Sequence, residues 1–228
     1  MGGGASSEMV AADPKIARAR ELAARYREAR EALLFYAALV EFAGDWDGLI
    51  ALVRRIGPPV LQEAARRIDP FELKAAVDRY LRGEDRVSPD SFFARVMLRR
   101  ERPRARGVPS NRCPECGEPP QCGVLRPQGD GHAFALVCSL CAAEWSFPRG
   151  QCPACGEADR EKIAWFQAEP LAHVQTQTCD ACARYLHVIH CGKEPAAVPE
   201  VDEVAALAMD VWAREQGYEK IHPNLIGI

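Results

Sequence analysis

Four short stretches decide the reading of this chain: Cys113-Pro114-Glu115-Cys116-Gly117, Cys138-Ser139-Leu140-Cys141-Ala142, Cys152-Pro153-Ala154-Cys155-Gly156 and Cys179-Asp180-Ala181-Cys182-Ala183. A Cys-x-x-Cys turn aims two thiolates at one centre, and two such turns complete the tetrahedral four-sulfur shell favoured by zinc or iron. The spacing repeats. Between Cys116 and Cys138 lie 21 residues, between Cys155 and Cys179 lie 23, and between Cys141 and Cys152 only 10. A period of about 40 residues points to a tandem duplication.

Each long gap has the pattern of a hairpin. Residues 124–126 and 134–137 flank Pro127-Gln128-Gly129-Asp130-Gly131, and residues 163–166 and 174–176 flank Glu169-Pro170. A hairpin returns its ends to one place, so Cys113, Cys116, Cys138 and Cys141 are expected to form the first metal site and Cys152, Cys155, Cys179 and Cys182 the second. Residues 144–147 and 185–189 supply a third strand to each ribbon. An interleaved cross-brace pairing leaves both hairpins unexplained. A disulfide framework is disfavoured by the Cys-x-x-Cys-Gly spacing, and no secretory leader or membrane-spanning run is read in the sequence. Gly117 and Gly156 let the chain turn beneath the sulfurs, whereas Ala142 and Ala183 at the matching positions are expected to be more strained.

The remaining composition divides the chain. All ten cysteines fall between Cys113 and Cys191. The first 110 residues carry a net charge of +4 and the rest −7, giving −3 for the whole. Two divalent ions in four-thiolate shells would take the second half to about −11, a poor match for nucleic acid. Residues 1–12 lack periodicity and are expected to be disordered. From Asp13-Pro14 onward, apolar spacing predicts one long helix to Gly44, then helices over residues 48–56, 60–68, 70–83 and one opened by Ser88-Pro89, several started by a Pro-containing cap. Arg95, Arg99, Arg100, Arg102, Arg104 and Arg106 surround Pro103; a solvated linker is the simpler reading and a polyanion or partner site the sharper one. After Pro199, residues 201–216 read as a final helix, and the tail to Ile228 is apolar enough to dock.

The fold class expected is therefore α+β: a helical domain (13–100), a linker (101–112), two tandem rubredoxin-like or zinc-ribbon units (113–150 and 151–195), and a C-terminal helix with its tail (196–228). No glycine-rich phosphate loop, nucleophile elbow or carboxylate pair suggests catalysis. His187 and His190 fall on opposite faces of a strand and are not needed by shells that already have four sulfurs. Cys122 and Cys191 read as small buried residues. Trp145 and Arg149, in the short link between the ribbons, are candidates for packing at the junction and for contacting a partner.

The C-terminal half also resembles a known family, the formate dehydrogenase accessory proteins called FdhE. The likeness rests on Cys113-Pro114-x-Cys116-Gly117-x-Pro119-Pro120, on Cys138-Ser139-Leu140-Cys141-x-x-Glu144-Trp145-x-x-x-Arg149-x-x-Cys152-x-x-Cys155-Gly156, and on Cys179-Asp180-x-Cys182-x-x-Tyr185-Leu186. It closes with Asp202-x-x-Ala205-x-Leu207-Ala208-x-Asp210 and Glu215-x-Gly217-Tyr218. Ala142 departs from the glycine usual there, and the N-terminal helical region is shorter than usual. The resemblance implies a cytoplasmic, non-catalytic protein without membrane insertion that binds the catalytic subunit of formate dehydrogenase during maturation, with two metal ions, Fe or Zn, in rubredoxin-like sites. An electron carrier acting on the same enzyme is the alternative; nucleic-acid-binding ribbons fit the acidic charge less well.

Overall fold

The computed structural model describes residues 13–101 and 110–227; the segment expected to be disordered and most of the expected linker lie outside them. Its first helix, α1 (Pro14–Arg25), starts where Pro14 follows Asp13, whose carboxylate accepts a hydrogen bond from the Lys15 backbone N–H at 2.8 Å. This is the side-chain cap that the Asp-Pro signature implies. The long helix expected to reach Gly44 is broken in two. Tyr26 leaves helical geometry, and α2 (Arg30–Glu41) begins after Ala29. No glycine or proline marks the break. An unbroken helix over that span would be about 40 Å long at 1.5 Å per residue. Instead α1 and α2 pack together, burying Leu22, Tyr26, Ala29, Leu33 and Tyr36 in one core.

Four more helices follow: α3 (Trp46–Ile56), α4 (Pro59–Arg67), α5 (Pro70–Leu81) and α6 (Pro89–Glu101). Asp45 caps α3 through the Gly48 N–H, and Ser88 caps α6 through the Ser91 N–H. These local signals place the element starts close to where the sequence puts them.

The strands are β1 (Pro120–Gln128), β2 (Gly131–Cys138) and β3 (Glu144–Ser146) in the first ribbon, and β4 (Ile163–Gln167), β5 (Val174–Cys179) and β6 (Arg184–His190) in the second. A short β7 (Glu219–Lys220) joins β6. Each ribbon is an antiparallel meander, as its hairpin pattern requires. The two meanders are not separate sheets. β1 pairs in parallel with β6, Cys122 opposite His187 through Leu125 opposite His190, giving one seven-stranded sheet in the order β3-β2-β1-β6-β5-β4.

The final helix is also divided, into α7 (Pro199–Ala205) and α8 (Leu207–Glu215), with Ala206 outside helical geometry. The reason lies in packing, since Ala205-Ala206-Leu207 contains no breaker. All seven residues of α7 are buried among α1, α2, β1 and β6, whereas α8 buries only Met209, Asp210 and Ala213. Helices and ribbons thereby share one apolar cluster, which runs from Leu22 and Phe92 through Val124 and Ile189 to Val204 and Ile226. The tail docks as expected, with Leu225 and Ile226 buried. Arg95, placed by sequence in an arginine-rich stretch, is instead fully buried on α6. Its guanidinium donates to the Pro223 carbonyl at 2.9 Å and to that of Asn224. Beside it, burial holds the His222 imidazole neutral, lowering its pKa to about 3.

Buried charges fasten the layers together. The Asp202 carboxylate accepts from Arg18 of α1 at 2.6 and 3.1 Å, lies 2.7 Å from His173 Nε2 and accepts from the Val198 N–H at 2.8 Å. Glu200 meets Lys15 at 2.6 Å and Arg99 at 3.2 Å and accepts from the Tyr36 hydroxyl at 3.4 Å. Arg99, too, is therefore bound within the fold and not part of a solvated stretch. Burial alone would raise the Asp202 carboxyl, but His173 and Arg18 hold it below the usual carboxylate range. Because its folded value lies below its unfolded one, its stabilisation is present at neutral pH and disappears as pH falls through the acidic range. Removing one member of a buried pair strands the other. Asp202→Ala is expected to cost about 3 kcal/mol or more in urea unfolding at pH 7, with the deficit shrinking at acid pH; a loss below about 1 kcal/mol would show that Arg18 and His173 find other partners.

Candidate metal centres

Both four-cysteine groups form. Ligand atoms of Cys113, Cys116, Cys138 and Cys141 lie within 4.8 Å of one another, and so do those of Cys152, Cys155, Cys179 and Cys182. In the second group Cys152 and Cys182 sulfurs are 3.7 Å apart and Cys155 and Cys179 sulfurs 3.8 Å. A tetrahedron with metal–sulfur bonds of about 2.3 Å has edges of about 3.8 Å. The first group is a little tighter, at 3.3 to 3.6 Å. All ten cysteines are free thiols. The separations are far beyond the ~2.05 Å of a disulfide, and the donor set suits a thiophilic ion such as zinc or iron.

One turn geometry makes all four knuckles. In the first and third, the N–H of the leading cysteine donates to the carbonyl five residues on, Cys113 to Glu118 and Cys152 to Glu157. The carbonyl of that cysteine then accepts from Gly117 or Gly156. Cys138 donates likewise to Ala143, and Cys179 stands opposite Arg184 in the β5–β6 ladder. The fourth residue after each leading cysteine is left-handed: φ is 79° at Gly117 and 80° at Gly156, and 59° at Ala142 and 52° at Ala183. Leu140 and Cys141 N–H groups both point at the Cys138 sulfur from 3.4 Å, stabilising negative charge on it.

The sites differ in exposure. Cys113, Cys138, Cys152 and Cys179 are buried, while Cys155 is exposed. Burial would raise the Cys155 thiol, yet the Glu157 N–H and the neighbouring sulfurs hold it below its ordinary value. The first site backs onto Tyr80, Ala94 and Leu98 of α5 and α6, so the helical layer covers one knuckle pair.

Trp145 lies on β3 opposite Leu136, half-buried between the first site's cluster and the cluster of Leu125, Phe134 and Leu186. Its indole N–H donates to the Ser110 carbonyl at 2.9 Å. Arg149 is exposed in the link between the ribbons. Cys122 is fully buried in the main core and Cys191 nearly so, and burial raises both thiols.

The sequence reading missed a third polar cluster. His187, Glu203 and Asp210 converge within 4.8 Å, all buried. Lys220 already lies among them, in contact with Glu203 and 2.9 Å from Asp210, while Tyr185 and His187 approach Asp210 at 2.7 and 2.9 Å. Burial would lower the Lys220 ammonium, but Asp210 and Glu203 raise it above its ordinary value. With an ammonium among the carboxylates, the cluster is a charge lock joining β6, β7 and the last two helices. A signal for it was present: Glu203 and Asp210 fall among the apolar residues Val201, Val204 and Met209 of the last two helices.

A side chain at a left-handed position costs about 1 kcal/mol. Ala183→Gly should therefore leave the melting temperature of the metal-loaded protein unchanged or slightly higher, whereas Ala183→Val should destabilise it by about 2 kcal/mol. Equal melting of the Gly and Val variants would mean that the turn relaxes freely.

Comparison with known proteins matches residues 112–149 to the central domain of FdhE and residues 151–226 to the C-terminal domain of FdhE, together half of the chain. A Protein FdhE homolog of Aquifex aeolicus (strain VF5) is 33% identical over 118 residues, 51% of this chain and 42% of that protein. One from Pseudomonas aeruginosa is 34% identical over 121 residues, 50% of this chain and 38% of that protein. The chain thus spans about two fifths of the length of these curated relatives. The crystal structure of the FdhE protein from Pseudomonas aeruginosa shares the fold, with a TM-score of 0.64 at 22% identity over 93% of this chain and 94% of that one. Both matched domains carry the knuckles and the sheet described above, and this chain belongs to the FdhE family.

Proposed function

We propose that this protein is an accessory factor for the maturation of formate dehydrogenase, acting in the cytoplasm by holding the catalytic subunit of that enzyme on a metal-stabilised two-ribbon platform. Membership of the FdhE family supports the client, and the observation that carries the platform is the parallel β1–β6 pairing, which makes both ribbons one surface. Each group of four cysteines binds one ion, zinc or iron. The ions supply folding free energy of order 10 kcal/mol per site in ribbons too small to hold themselves together by apolar burial. The protein needs no catalytic group of its own for this task. No helix among the described residues is long and apolar enough to cross a membrane, which suits a client met in solution.

A second reading has one observation in its favour. Cys155 is exposed at the edge of the second site, so an iron ion there would lie close to the surface and could exchange electrons with a docked protein. Holding and electron transfer predict different metal requirements. If the protein holds its client, purified chain loaded with either metal should carry two ions and retain the catalytic subunit in a pull-down without added reductant. Cys113→Ser/Cys116→Ser should carry one ion and lose most of that retention. Activation by the iron form alone, with equal retention by both forms, would favour the carrier. Retention in no metal state would remove the holding function.

A further inference from the structure

Among the described residues the strand order ends at β3 and β4, with the two-residue β7 set off this path against β6. The two ends are not alike. β3 has three residues and carries Glu144, which is ion-paired to Arg126. β4 reads Ile163-Ala164-Trp165-Phe166-Gln167, with no charge, no proline and an unbroken register against β5. Soluble proteins guard their edges with charge, proline, bulges, shortness or a covering segment, because an open row of N–H and C=O groups pairs with any extended chain. β4 carries no such guard among its own residues, and Trp165 and Phe166 are left 37% and 38% exposed.

The chemistry beside this edge is equally particular. Ile163, Trp165 and Gln175 line a cleft of about 930 Å³. Pro148, Arg149, Gly150 and Gln151 line it from the inter-ribbon link, which is tied to the sheet by a hydrogen bond from Gln177 Nε2 to the Gln151 carbonyl at 3.1 Å. Arg160 lies just before β4. Arg149 and Arg160 are exposed, and neither guanidinium has an ion pair or hydrogen bond among the described residues. Elsewhere in this acidic half, Arg126 and Arg184 are paired with carboxylates, while Arg112 and Arg214 have no ion pair among the described residues and do not line the cleft. Two unpaired guanidinium groups beside an exposed indole and an open strand edge form a complementary surface for carboxylates on an extended chain.

We propose that β4 and this cleft receive an extended acidic segment of a partner polypeptide. The segment adds to the sheet beyond β4, sets carboxylates against Arg149 and Arg160 and lays an apolar side chain on Trp165. This rests on the reading that the protein holds another protein, and it says where and by what chemistry. A nucleic acid strand could use the same arginines, but it brings a phosphate with every nucleotide into a half whose net charge is −7, and it cannot continue a backbone ladder.

The test uses the metal-loaded full chain and a fluorescein-labelled decapeptide with Glu and Val in turn at the odd positions and Thr at the even ones, so that Glu and Val face the cleft together, read by anisotropy. Saturable binding that weakens as salt rises is expected, with at least a tenfold loss in Arg149→Glu/Arg160→Glu and a clear loss in Trp165→Ser. A Lys–Val decapeptide should not bind, and Arg27→Glu/Arg30→Glu, an equal charge change on exposed residues at the break between α1 and α2, should bind as the wild type does. The proposal is overturned if the Glu–Val peptide does not bind, if the Lys–Val peptide binds as well, if the double reversal has no effect, or if a thymidine oligonucleotide binds the cleft more tightly. A pull-down separates this idea from the one beneath it. If wild type and the double reversal retain the catalytic subunit equally, the cleft assignment falls and the holding function stands. If wild type retains none, the holding function falls, and the peptide result alone decides the cleft.

Discussion

The parallel pairing of β1 with β6 is the constraint on which the rest of this molecule depends. Parallel strands are found chiefly where both faces of the sheet are covered, and here both are. On one face Cys122, Val124 and Ile189 meet α7 and the main core; on the other Leu125, Leu186 and Val188 meet Phe134 and Phe147. The approach is close at Gly123, where a Cβ would stand 2.7 Å from the Phe134 ring and 3.1 Å from a Val188 methyl. A larger residue would have to push the strands or the ring aside. Two ribbons that arose as repeats are in this way made into one body, with the first strand of one meeting the last strand of the other.

That junction explains the unusual composition of α7. A helix placed between a sheet and a helical layer has no solvent-facing side, so every residue from Pro199 to Ala205 is buried, including three carboxylates. Each has a counter-charge from a different layer: Lys15 and Arg99 for Glu200, Arg18 for Asp202 and Lys220 for Glu203. Buried ion pairs add little to stability compared with apolar packing, yet losing one partner is costly. They therefore disfavour any alternative seating of α7. The four-sulfur groups lie at the ends of hairpins that run into this same sheet, so order at the sulfurs and order at the junction support each other.

Local rules were legible in the sequence. Asp13 and Ser88 cap helices where Pro follows them in the sequence, and both hairpins and both cysteine groups assemble as spacing and turn residues indicate; the Asp45 cap, which starts α3 two residues before the expected Gly48, was not read. Long-range decisions were not. The break after Tyr26 and the division at Ala206 occur in residues with good helical propensity, because burying two faces outweighs continuing one helix. The sharing of one sheet by two repeats leaves no pattern inside either repeat, since β1 and β6 were already readable as strands. Arg95 and Arg99 looked like part of a solvated run because charge in a sequence does not tell whether a carbonyl or carboxylate from more than 100 residues away will meet it. Trp145 and Arg149 were readable only as candidates for a junction or partner contact; in the structure the indole is pinned to Ser110 and the guanidinium stays open.

If the ribbons are one body, losing one four-cysteine site must be felt in the other ribbon. Amide hydrogen exchange on the metal-loaded protein and on Cys152→Ser/Cys155→Ser tests this directly, because the substituted residues lie in the second ribbon and β1 and β2 in the first. Coupling through β6 predicts that amides of β1 from Cys122 to Leu125, and of β2 opposite them, lose protection on the order of tenfold or more along with β4, β5 and β6. Wild-type protection in β1 and β2 while the second ribbon exchanges freely would contradict the account and make the two ribbons independent units that merely touch.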